Sequence, residues 1–177
     1  FKNTRLIFPT YFILYSSGFL CSLLFRPQKS SEFSYLKKTK KEISGSDFLG
    51  NILDTSIMNG FETITKLGGY ILIFSILQGI SSIALRSFPT LGYFLQGITE
   101  ITTGNAALSK ASWSFDLLYP LILAFTSFGG LSVAAQTKSM LADTDLPFSS
   151  YLKGKICNFF CTFAIAFCLV KIVKVII

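Results

Sequence analysis

The sequence contains no histidine. That removes the side chain best suited to general-base work near neutral pH, and with it most triad and zinc schemes. Charge is scarce as well. Only 14% of the 177 residues are Asp, Glu, Lys or Arg, against about 25% in a soluble domain. Beside 51% hydrophobic residues and a mean hydropathy of +0.57, this shortage excludes an ordinary water-soluble domain. The four cysteines, Cys21, Cys157, Cys161 and Cys168, form no CxxC pair and have no histidine partner. They read as small apolar core residues. With no convincing nucleophile and base pair, the chain is not expected to be an enzyme.

What the sequence does have is apolar runs of membrane-spanning length. About 20 residues of helix cross a hydrocarbon core about 30 Å thick, and residues 6–25 make such a run. Stretches such as 70–76 are apolar on both faces, which a barrel strand with a polar lumen would not tolerate, so helices carry the spans. The 16 Lys and Arg against 9 Asp and Glu give +7. The basic residues cluster between hydrophobic runs and form no stripe, so nucleic acid is not the expected partner. The lipid bilayer is.

Along the chain, residues 1–25 hold a first transmembrane helix and 26–47 a basic loop with Arg26, Lys29, Lys37, Lys38, Lys40 and Lys41, expected to face the cytoplasm. The remainder, 48–177, forms one membrane unit. Residues 48–85 combine an amphipathic, interfacial segment with a second span that starts after Gly68 and Gly69. Residues 92–114 are too polar and too rich in small residues for a lipid-facing span. An arm over 93–101 reaches only about 14 Å at 1.5 Å per residue, which is the bilayer midplane. A turn at Thr102, Thr103, Gly104 and Asn105 then lets 106–113 return to the same surface. Residues 115–141 form a helix broken at Ser127 to Ser132, and 156–177 cross once more. The predicted fold is an all-α integral membrane helical bundle with a re-entrant helical hairpin and a discontinuous helix. Positive-inside parity agrees, because a hairpin that returns to its own side places Lys138, Lys153 and Lys155 with the basic loop.

Glu100 is then about half a bilayer from either surface, where a carboxylate facing lipid costs at least about 2.5 kcal/mol. Two roles are open for it. It points into a solute cavity, or it caps broken-turn N–H groups or pairs with Lys110. Thr102, Thr103, Gly104 and Asn105 supply hydroxyls, an amide and a helix N-terminus suited to an anionic group; the alternative is that Thr and Asn cap and Gly turns the chain. Across from them, Ser127, Gly130, Ser132 and Gln136 line the second break, with Ser132 and Gln136 one turn apart; the break either binds solute or lets membrane helices pack closely through its glycine pair. Paired interruptions of this kind point to a transporter binding site. Asp143 and Asp145 read as a helix-end cap before Pro147. Lys171 and Lys174 are placed to snorkel.

The strings GITEITTGNAALS, 97–109, and SFGGLSVAAQTKSMLADTDL, 127–146, resemble the nucleoside-recognition, or Gate, domain. More narrowly, they resemble the YlbJ-type sporulation integral membrane proteins. The likeness runs from about residue 52 to 155 and implies one half, the C-terminal one, of a fold similar to the concentrative nucleoside transporters. It likens Glu100 and Ser132 to solute-holding residues of the hairpin and broken helix. Two positions depart from the nucleoside pattern: Gly130 and Thr99 stand where those transporters have asparagine. What the sporulation likeness implies instead is movement of a small polar or anionic solute, dipicolinic acid, across the mother-cell or outer forespore membrane. The chain opens on Phe1, so an N-terminal half of the same protein is an expected partner, and a homo-oligomer is compatible. No cofactor is expected, and the coupling ion is left open. The rival reading is a non-transporting membrane scaffold or sensor for spore assembly.

Overall fold

A computed structural model describes residues 6–25, 48–142, 144 and 146–176. The basic loop 26–47, with its expected cytoplasmic position, and the capping expected of Asp143 and Asp145 lie outside the described residues, as does the side chain of Lys174. The described residues form seven helices and no strand: α1 (Ile7–Leu24), α2 (Phe48–Ala84), α3 (Pro89–Thr99), α4 (Ile101–Leu108), α5 (Phe115–Phe128), α6 (Gly130–Met140) and α7 (Phe148–Ile176). Four stretches are long and apolar enough to cross a membrane: Ile7–Leu24, Leu49–Ala84, Phe115–Met140 and Phe148–Ile172. Large apolar side chains such as Phe8, Tyr15, Phe61 and Ile83 stand exposed along them, as lipid-facing residues must.

The broken helix α5–α6 is the hub. In its most apolar window 61% of residues are buried, against 6% for α2. One core cluster joins Ile13 of α1, Tyr119 and Leu123 of α5, and Ala166 of α7. A second joins Leu108 of α4 to Leu121 and Phe125 of α5, with Phe125 packed edge-on to Phe94 and Phe159 at 5.2 Å between ring centroids.

Helices α1 and α7 run antiparallel, as three successive levels of contact show. Ile13 packs with Ala166, the Thr162 hydroxyl donates to Ser17 Oγ at 2.8 Å, and Cys21 Sγ lies 3.8 Å from Cys157 Sγ. The buried residues of α1 are thus Ile13, Ser17 and Cys21, a stripe at a spacing of four that keeps one helix face inward. The end of α1 at Phe25 therefore lies beside Ser150, Tyr151 and Lys155 of α7.

Helix α2 joins the amphipathic segment to the second span across Gly68 and Gly69, so the span begins earlier, in the helix before it. It continues unbroken for 37 residues, about 55 Å at 1.5 Å per residue. Each glycine costs a helix about 1 kcal/mol relative to alanine in water, but in lipid every backbone group left without a helical partner costs more, so the helix runs through them. Helix α7 likewise begins earlier than the expected 156, at Phe148.

Candidate functional site

The segment between α2 and α5 folds as a helical hairpin, α3 and α4, whose arms lie back to back. Gly104 makes this possible. A Cβ there would sit 2.5 Å from the Gln96 carbonyl oxygen and 2.8 Å from Gly97 Cα, so only glycine lets the backbones approach so closely. Gly97 in turn receives the Phe125 ring and Leu108, which a Cβ would meet at 2.9 and 3.1 Å. Farther from the tip, Tyr93 and Trp113 close the arms edge to face at 6.1 Å.

The turn is at Glu100, earlier than the expected turn at Thr102 to Asn105. Glu100 alone leaves the helical conformation, with φ −149 and ψ 133. Its carboxylate is 3% exposed as a residue and accepts from Thr102 N–H at 3.1 Å, Thr103 N–H at 2.8 Å, and both threonine hydroxyls at 2.6 Å. Satisfying the orphan donors of the second arm lets Thr102 to Asn105 enter α4. The position that the helix N-terminus offers to an anion is thus filled from within, by Glu100.

The second break lies at Gly129 and Gly130, with φ +87 and +79, both left-handed, a conformation that L side chains rarely adopt. The two breaks meet. A Cβ on Gly130 would lie 3.2 Å from Glu100 Cα and from the carbonyl oxygens of Ile98 and Thr99. The N-terminal end of α6 therefore abuts the C-terminal end of α3, positive dipole end against negative.

A residue that pattern reasoning missed completes the arrangement. Gln78, on α2, is 4% exposed. Its Nε2 donates to the Gln96 carbonyl at 3.3 Å, and its Oε1 contacts the Thr103 hydroxyl that also serves Glu100. Gln78 is the single amide within the apolar run 70–85, which is the signal that was available.

The other expected site residues divide into groups. Asn105 donates to Thr126 Oγ1 of α5 at 2.9 Å, while its Oδ1 is buried without a hydrogen-bond partner among the described residues. Ser132, 1% exposed, accepts from Gln136 Nε2 at 3.1 Å, as their one-turn spacing predicts. Gly104 faces the first arm of the hairpin. Ser127 faces α7, with its hydroxyl near the Asn158 carbonyl at 3.4 Å and its own carbonyl accepting from Lys155 at 3.1 Å. The structure thus brings Glu100, Thr102, Thr103 and Gly130 together and turns Ser127 the other way.

Compared with known proteins, the chain is 28% identical over 126 residues to the sporulation integral membrane protein YlbJ of Bacillus subtilis (strain 168). The alignment covers 61% of this chain and 31% of that relative, so the chain spans less than a third of the protein it matches. No protein-family model and no solved structure matches. This homology and the four apolar helices together mark an integral membrane protein.

Proposed function

We propose that this chain is the solute-handling part of a membrane transporter for a small polar solute, acting in sporulation, with the α3–α4 hairpin re-entrant and α5–α6 as its broken-helix partner. One observation carries the reading: two backbone interruptions, far apart in sequence, pack directly on one another around a buried carboxylate. Irregular backbone at membrane depth persists where protein buries it or where it lines a wet path, and paired broken elements are how transporters build their solute sites.

Helix lengths and chain direction support re-entry. The arms, 11 and 8 residues long, span roughly 16 and 12 Å, each about half the hydrocarbon thickness. The end of α1 and the start of α7 lie together. The chain between them must then cross an even number of times, which α2 and α5–α6 already supply.

Because Glu100 fills the N-terminus of α4, the groups offered to a solute are acceptors: the Glu100 carboxylate and Asn105 Oδ1, which has no hydrogen-bond partner among the described residues. The solute accordingly brings hydrogen-bond donors. The resemblance to sporulation proteins makes dipicolinic acid the first solute to try, paired with a cation that meets these acceptors in place of a hydrogen-bond donor. The test is uptake by proteoliposomes of the full-length protein. Accumulation of labelled dipicolinic acid above that of protein-free vesicles supports the proposal. Absence of uptake of it and of a panel of nucleosides and small polar solutes favours the scaffold reading.

A further inference from the structure

At the other side of the bundle, away from the hairpin, the sulfurs of Cys21 in α1 and Cys157 and Cys161 in α7 all lie within 4.8 Å of one another. We propose that this triad is a binding site for a soft, thiophilic cation, monovalent copper, that clamps α1 to α7. The spacing fits the chemistry. Three sulfurs held about 2.3 Å from a shared ion in a trigonal plane lie about 4.0 Å apart, and the separations here are 3.8 Å for Cys21 with Cys157, 4.0 Å for Cys157 with Cys161 and at most 4.8 Å for Cys21 with Cys161. All three cysteines are free thiols.

The donor set selects the metal. Sulfur-only sites favour soft cations, and no fourth Cys, Asp or Glu joins this group among the described residues, whereas a structural zinc takes four ligands. The scaffold is fixed. Cys157 and Cys161 are one helical turn apart on one face of α7, and Cys21 continues the buried stripe of Ile13 and Ser17.

A route exists too. A groove of about 320 Å³ runs from the helix ends to Cys21, lined by Ser150, Tyr151, Lys155 and Asn158. Asn158 Oδ1 there is buried with no hydrogen-bond partner among the described residues. The groove opens on the side that the positive-inside rule assigns to the cytoplasm, where thiols stay reduced. On binding, each ligating S–H gives its proton to solvent as a Cu–S bond forms, the copper stays monovalent, and Lys155 on the groove wall offsets part of the thiolate charge.

The test uses the full-length protein in detergent under anaerobic, reducing conditions, titrated with Cu(I) against a chromogenic chelator. The expected result is one copper per chain, with an X-ray absorption spectrum of three sulfurs at about 2.3 Å. Cys21→Ser and Cys157→Ser should each weaken binding by more than the roughly 10–100-fold that loss of an outer-shell partner costs, and Cys168→Ser should leave it unchanged. A wild-type spectrum with fewer than three sulfurs, failure to compete with the chelator, or full affinity in monodisperse Cys21→Ser and Cys157→Ser proteins would each overturn the proposal. The wild-type spectrum decides it even where a variant does not fold.

Discussion

Gly104→Ala is expected to abolish the folded hairpin, and with it stable accumulation of the protein. The added methyl would lie 2.5 Å from a backbone oxygen and 2.8 Å from a backbone carbon of the facing arm. Backbone cannot rotate out of the way as a side chain can. Relief requires the arms to part by about 1 Å, which uncouples Gly97 from Phe125 and Leu108. Overpacking of this kind typically costs about 1–3 kcal/mol, and more where backbone must move, a large share of a total stability of about 5–15 kcal/mol. Membrane level and thermal unfolding in detergent measure it. Gly60→Ala is the control, since a Cβ at Gly60 meets nothing within 4 Å.

Substitution of Glu100 is the second large effect, and three variants separate its two roles. Glu100→Ala leaves the Thr102 and Thr103 N–H groups without their acceptor. Loss of an N-cap costs about 0.5–2 kcal/mol, and each buried donor left unpaired about 1–3. Glu100→Gln keeps one acceptor oxygen and removes the charge, so it should fold with reduced stability and lose transport. Glu100→Asp keeps the charge and belongs to the residue types that cap helices best, but withdraws the carboxylate by one methylene. The expected pattern is near-normal unfolding for Glu100→Asp with transport reduced at least about tenfold, a barrier change of about 1.4 kcal/mol. Full transport by a folded Glu100→Gln protein would reduce Glu100 to a cap and remove it from the solute path.

Both effects rest on features of unequal legibility. The break at Gly129–Gly130 was readable because the glycine pair stands between Ser127 and Ser132 inside an apolar helix, and both glycines take a left-handed conformation. The hairpin was readable from small and polar residues placed between two long spans. Its tip was not. Glycine and asparagine at 104 and 105 carry the usual turn signal, but Gly104 serves close approach of the arms, and the actual turn depends on a carboxylate reaching N–H groups two and three residues ahead. Gln78 was missed because it contacts the hairpin across the fold, and its meaning appears only once α2 lies against α3 and α4. The cysteine triad was hidden for the same reason. Cys157 and Cys161 show one-turn spacing, but Cys21 is 136 residues from Cys157, and sequence spacing does not report a pairing at that distance. The glycine pair at 68 and 69 marks only where polarity ends, and the helix runs through it because every backbone group in lipid needs a partner.

In the proposed transporter α3 and α4 enter the membrane and leave on the side they entered. In a background without the native cysteines, single cysteines at Ser87 and Ser112, exposed residues at the two ends of the hairpin, can be probed with a membrane-impermeant maleimide from each side of oriented vesicles. Both positions should react from the same side, opposite to Lys153→Cys. Labelling of Ser87→Cys and Ser112→Cys from opposite sides would show the segment crossing the bilayer, and the paired-break transporter site would not stand.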